Sequence, residues 1–148
     1  MSAITAFSIS GIRVRIDRSW FIAFLLFAYT LSVGYFPMQA PDYSASTYWL
    51  LGTLSSLALF ASVLAHELSH CIVARQLGIG VRQITLFIFG GVSEMEQTHS
   101  STPKAEFKIS SAGPLASIGM GALFLATSFL VESFVDRIVI AMFHYLYY

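Results

Sequence analysis

Four histidines and eight acidic residues are spread over 148 residues, yet His66-Glu67-Leu68-Ser69-His70 gathers three of these side chains within one short run. In a helix each residue turns about 100°, so His66 and His70 stand about 40° apart on one face, one turn from each other. Two imidazoles so placed can both reach one zinc ion. Glu67, rotated away from both, can sit beside the metal without ligating it. There it can take a proton from water and later pass it to a leaving amine. The spacing therefore predicts His66 and His70 as metal ligands and Glu67 as a general base. Cys71 adjoins His70 but points about 100° away from it, and reads as packing rather than as a ligand.

The elements that must position this motif are apolar. The chain is 56% hydrophobic and 11% charged, with a mean hydropathy of +0.72. A soluble domain carries about 25% charged residues. Basic and acidic residues balance at eight each, so no charge excess points to nucleic acid. The chain is too apolar for disorder, and one cysteine makes no internal disulfide framework. The class that remains is an integral membrane protein.

Crossing a hydrocarbon core of about 30 Å takes about 20 residues of helix. The first span is expected over 20–36 and ends at Pro37 and Pro41. Arginines precede it and no cleavage pattern follows, so it is not a cleaved signal peptide. The second, over 48–77, is uncharged through Ala65 and then meets the His-Glu-His motif. Ionisable groups in a span are costly and mark function. The third covers 107–131, where Gly113, Ser117 and Gly121 put small residues on one face and Pro114 predicts a kink or broken turn. The last apolar run, 138–148, reaches only about 16 Å, half a bilayer core.

Two stretches alternate instead. Phe7–Ser10 and Ile12–Ile16, broken by Gly11, read as an amphipathic hairpin at the membrane surface. VRQITLFIFGGVSEM, residues 81–95, reads as strand, turn, strand, with Gly90-Gly91 in the middle. Such re-entrant backbone is tolerated near membrane depth only where it lines a cavity or is buried in protein. The expected fold is thus an all-α membrane bundle, a single domain over 1–148, with a small re-entrant β-hairpin. Seven basic residues flank one side of the spans and Arg137 alone the other, which places the amino terminus and the 78–106 loop in the cytoplasm.

Taken in order, HELSH at 66–70, ITLFIFGGVSEME and SSAGPLAS resemble the site-2 protease family of intramembrane zinc metalloproteases, over about Gly11 to Gly121. The resemblance implies zinc as cofactor and a multi-pass protein of the plasma (inner) membrane. It implies hydrolysis of a peptide bond in or near the transmembrane helix of a single-span membrane protein, such as an anti-sigma factor or a membrane-tethered regulator. By motif position His66 and His70 become zinc ligands and Glu67 the catalytic base. Gly113 and Ser117 fall on the family's G-x-x-x-(Asn/Ser/Gly) element near the metal and, with Gly90 and Gly91, form the expected substrate-binding set. The strand before Gly90-Gly91 matches the sheet that offers an edge to unwound substrate. The family's third ligand, an Asp in an L-D-G motif, has no counterpart here. The family would place it just beyond Tyr148, so the expectation is an amino-terminal portion of a protease or a natural remnant.

Two other readings stand beside this one. The first is an inactive relative that binds membrane helices. The second is a small transporter or channel subunit lined by His66 and Glu67, which a stoichiometric zinc assay would separate from the other two. Elsewhere, His99 reads as a solvated loop residue and His144 as an interhelical hydrogen-bonding group. Glu94 and Glu96 read as solvated strand-end charges. Glu132 and Asp136 are placed at the opposite membrane face.

Overall fold

The computed structural model describes residues 3–96, 102–131 and 137–147. His99, Glu132 and Asp136 lie outside them. Strands β1 (Ile4–Ile9) and β2 (Ile12–Ile16) precede helix α1 (Arg18–Thr30), a π-helical turn (Leu31–Tyr35) and α2 (Phe36–Gln39). Then come α3 (Ala45–Gln76), β3 (Val81–Phe87), β4 (Gly90–Met95), α4 (Pro103–Val131) and α5 (Arg137–Tyr147). The chain divides into two compact units, Met1–Ala23 with Ser62–Ser117 and Phe24–Ala61 with Ile118–Tyr148.

In the first unit both expected hairpins form, but they are fused into one four-stranded sheet of order β1-β2-β3-β4. The joint is a parallel pairing of β2 with β3, from Arg13 opposite Gln83 to Ile16 opposite Leu86. Parallel neighbours need a long crossover, here the whole run from α1 to α3. Ile12, Val14, Ile84 and Leu86 are all buried and form the inner face of the sheet. The re-entrant hairpin is therefore half of a larger sheet.

Two details of that hairpin differ from expectation. Phe87 pairs with Gly90, so the turn is Ile88-Phe89 and the glycines open β4 instead of making the turn. Moreover β3 has both edges occupied, by β2 and β4. Its hydrogen-bonding groups are spent, so the strand before Gly90-Gly91 offers no edge. The free edge beside it belongs to β4.

Asp17 joins the sheet to α1. Its carboxylate accepts the Ser19 N–H at 3.0 Å and the Ser19 hydroxyl at 2.7 Å. Those two bonds hold the Asp17 carboxyl below the usual carboxylate range. Ser19 Oγ in turn accepts the Ile88 N–H at 3.2 Å, tying the β3–β4 turn to the start of the helix.

In the second unit the helix does not stop at Pro37. Proline lacks an N–H, and its ring collides with the carbonyl four residues back in a regular helix. The turn just before it widens, with the Phe36 N–H bonding Leu31 O, five residues back. The helical path then runs on to Gln39, and Ala40 N–H closes on Phe36 O at 2.9 Å. Leu31, Phe36, Ala40, Tyr48, Leu51 and Ala141 form the core of this unit. The Tyr48 hydroxyl donates to Ala40 O at 2.6 Å, and the Tyr35 hydroxyl donates to Ala141 O on α5 at 3.2 Å.

Helix α4 starts four residues ahead of the expected Phe107. Thr102 Oγ1 accepts the Ala105 N–H at 3.3 Å, and Pro103 occupies the first helical position, where its missing N–H costs nothing. The helix also carries through Pro114 as one element, without a broken turn. Three helical stretches, Arg18–Gln39, Ala45–Gln76 and Pro103–Ser128, are long and apolar enough to cross a membrane, at 22, 32 and 26 residues. Ile22, Leu25, Leu54, Leu115 and Ile118 are exposed along them, as a lipid-facing surface requires.

Ile84 sits opposite both Val14 and Ser93 and is fully buried. Ile84→Ala is expected to cost about 2–5 kcal/mol, the range for a large-to-small change in a packed core. Ile22→Ala, at a position 62% exposed, is expected to leave thermal unfolding in detergent nearly unchanged.

Candidate active site

The His-Glu-His motif lies on the uninterrupted second half of α3, within the first unit. His66 and His70 present their Nε2 atoms to each other at 3.2 Å, with ring centroids 4.9 Å apart. Their other nitrogens are held by α4. His70 Nδ1 donates to the carbonyl of Ile109 at 2.6 Å, and His66 Nδ1 pairs with Ser117 Oγ at 2.8 Å. A carbonyl only accepts, so the His70 proton is on Nδ1 and its Nε2 carries a lone pair.

Gly113 makes this possible. A Cβ built there would come within 2.5 Å of His66 Nε2 and closer still to His70 Nε2. Any side chain at 113 would occupy the space where the two nitrogens converge. Ile109, Gly113 and Ser117 are spaced four apart, so one stripe of α4 supplies both hydrogen-bond partners and the clearance between them.

Glu67 is held from another direction. Ser93 Oγ on β4 donates to Glu67 Oε2 at 2.7 Å. The thiol of Cys71, fully buried, donates to Ser93 Oγ at 3.3 Å. A Cβ at Gly91 would stand 2.5 Å from Glu67 Cγ, so β4 packs against the carboxylate stem at a position without a side chain.

The donor set suits a zinc ion. Two nitrogens each about 2.0–2.1 Å from one tetrahedral ion stand about 3.3 Å apart, which is the separation found. With its Nδ1 accepting from Ser117, His66 can donate an Nε2 proton to the His70 lone pair, and a cation taking the place of that proton would be met by both nitrogens. The Nδ1 partners are of the kind that orient metal-binding imidazoles. Among the described residues, no third His, Cys, Asp or Glu joins the pair.

Of the residues singled out from sequence, His66, Glu67, His70, Gly91, Gly113 and Ser117 come together here. Gly90 opens β4, and a Cβ built there would meet nothing within 4 Å. Glu94 accepts from Gln83 Nε2 at 2.8 Å, and Glu96 pairs with Arg82 at 3.2 Å in an exposed ion pair. His144 is on α5, in the second unit. Sequence reasoning passed over Ser93 and the Ile109 carbonyl. A serine two residues beyond Gly91 on an alternating strand shares its face, which is the one signal that could have found it.

A sequence profile for Peptidase family M50 matches residues 54–145, most of the chain and all of the motif. The chain belongs to Peptidase family M50. It is 44% identical over 111 residues to the Synechocystis sp. protein named "Putative zinc metalloprotease sll0528", covering 75% of this chain and 28% of that one. It is 33% identical over 127 residues to "Zinc metalloprotease MJ0392" of Methanocaldococcus jannaschii, covering 85% and 32%. This M50 chain thus spans about three tenths of the length of these curated relatives. The solved structure of a site-2 protease from Methanocaldococcus jannaschii matches with a TM-score of 0.54 and 27% identity, over 95% of this chain and 60% of that one. The M50 chain therefore has the site-2 protease fold, mostly helical with a four-stranded sheet.

Gly113→Ala is expected to force the two imidazoles apart or push α4 away from α3. Overpacking of this kind costs about 1–3 kcal/mol, and thermal unfolding of the metal-free protein measures it.

Proposed function

We propose that this chain carries the catalytic core of a zinc-dependent intramembrane endopeptidase. The observation that carries the reading is the 3.2 Å pairing of His66 and His70 Nε2, with Glu67 fixed on the neighbouring helix face. In this reading His66 and His70 hold zinc, and relatives in the family are named zinc metalloproteases. Bound zinc supplies Lewis acidity, polarising the scissile carbonyl and acidifying water. Glu67 accepts the proton of the attacking water and hands it to the leaving amine nitrogen, so one carboxylate serves as base and then as acid. Ser117 and the Ile109 carbonyl keep the imidazoles in register.

The substrate in this reading is a single-span membrane protein, such as an anti-sigma factor or a membrane-tethered regulator. A peptide bond buried in a helix has its carbonyl engaged, so the segment must unwind before water can attack. The free edge of β4 can take the released main-chain groups by strand addition, and Gly91 and Ser93 on that strand lie against Glu67. The basic residues beside the spans support a cytoplasmic amino terminus in an inner membrane.

Glu67→Gln keeps the shape of the side chain and loses the proton acceptor. With the protein reconstituted beside a single-span substrate, it is expected to retain zinc and lose at least 100-fold in cleavage rate, as general-base removal does. His66→Ala and His70→Ala are expected to lose zinc as well, read by metal analysis. Normal turnover by Glu67→Gln, or full zinc content in both histidine variants, would overturn the assignment. Stoichiometric zinc without Glu67-dependent cleavage would leave a relative that binds helices and does not cut them.

Orientation is tested separately. Single cysteines at Asp42 and Thr102 are expected to react with an impermeant thiol reagent from outside and from the cytoplasmic side respectively. The native Cys71 is buried and gives little background. The reverse pattern would place the zinc site at the other face.

A further inference from the structure

We propose that Ser93 is the positioning residue for Glu67, so that β4 both offers the free sheet edge and aims the base. The inference rests on Glu67 being the base, as proposed above.

A glutamate on a helix has three rotatable side-chain bonds and sweeps a wide arc unless something stops it. Here the carboxylate is met from outside its own helix. Ser93 has a single hydroxyl proton, and a carboxylate can only accept, so that proton goes to Glu67 Oε2, 2.7 Å away. The direction is reinforced from behind, because the Cys71 thiol donates to Ser93 Oγ at 3.3 Å and occupies the lone pair that would otherwise let the hydroxyl turn. The donor chain runs Cys71, Ser93, Glu67, in that order only.

The mounting is rigid. Ser93 is paired across from Ile84, and β3 is locked on its other edge by β2. Gly91, two residues earlier on the same face, lets the strand close on the Glu67 stem. Oε2 accepts from Ser93, and Oε1 keeps its lone pairs open to take the proton. Position 93 thereby joins the edge that would receive substrate main chain to the group that acts on it. A strand added to β4 stiffens the support of the base at the moment it is needed.

The test has two arms. In metal-free protein, the infrared difference between wild type and Glu67→Gln isolates the Glu67 carboxylate band. Ser93→Ala is expected to shift that band, and Ser93→Thr, which keeps the hydroxyl on a strand, to restore it. In zinc-loaded protein with a single-span substrate, Ser93→Ala is expected to lower kcat roughly 10- to 100-fold, the loss that follows misplacement of a catalytic group. KM and zinc content stay within about 2-fold, and Ser93→Thr recovers most of the rate. An unmoved band in Ser93→Ala overturns the inference, as does an equal loss of kcat in the alanine and threonine variants. Loss of zinc from Ser93→Ala also overturns it, since Ser93 would then serve the metal site. If Glu67→Gln cleaves normally while the band still shifts, the hydrogen bond stands and the functional reading fails instead.

Discussion

The site depends on the missing side chain at position 113. Two imidazoles can aim at one point only if nothing fills that point, and α4 crosses there. Without a Cβ at Gly113, α4 comes close enough for the carbonyl of Ile109 and the hydroxyl of Ser117 to reach the Nδ1 atoms. A larger residue would lose all of this together, because the clearance and both hydrogen bonds come from one stripe of one helix. Pro114 follows directly. It withholds an N–H from the Ser110 carbonyl, beside the Ile109 carbonyl that His70 uses, and the helix still continues.

Glu67 is supported independently of the two histidines. The histidines answer to α4 and the glutamate to β4, about a quarter of a turn around α3 from each other. A hydroxyl proton shared with a carboxylate and a ring nitrogen shared with a carbonyl are both directional. They fix orientation as well as position. Three such bonds are short, at 2.6, 2.7 and 2.8 Å. The backbone around the site obeys the same rule: among the described residues the sheet satisfies its polar groups across three pairings, with β1 and β4 at its edges.

Much of this was legible in the residues. The i, i+4 histidines, the uncharged run ahead of them, both hairpins and the small-residue stripe are short-range patterns, and short-range patterns survive in sequence. What escaped was long-range or shape-dependent. Alternation in Ile12–Ile16 and in Val81–Phe87 shows two strands but cannot show that they are neighbours, since register between distant strands leaves no local mark. Gly90-Gly91 looked like a turn because glycine has two uses, and the structure employs Gly91 for clearance against Glu67. Pro37 looked like a stop because a regular helix cannot hold it; a π turn, with one more residue per hydrogen-bonded ring, can. Ser93 is an ordinary strand serine until its partner across the site is known.

The parallel pairing of β2 with β3 also sets a timetable for assembly. Its partners, Arg13 with Gln83 and Ile16 with Leu86, are about 70 residues apart in the chain. At roughly 5–20 residues per second, the first hairpin waits several seconds after synthesis for the strand that completes it. Two apolar helices must enter the bilayer in the interval. During that wait β2 has one edge uncovered, a period of exposure to mispairing that contacts closer in sequence would avoid. Until it ends, β4 has no β3 to lie on and Glu67 has nothing to hold it. A nascent chain of this kind therefore carries its histidines and its glutamate for some time before they are held in place, and the sheet is the part that decides when.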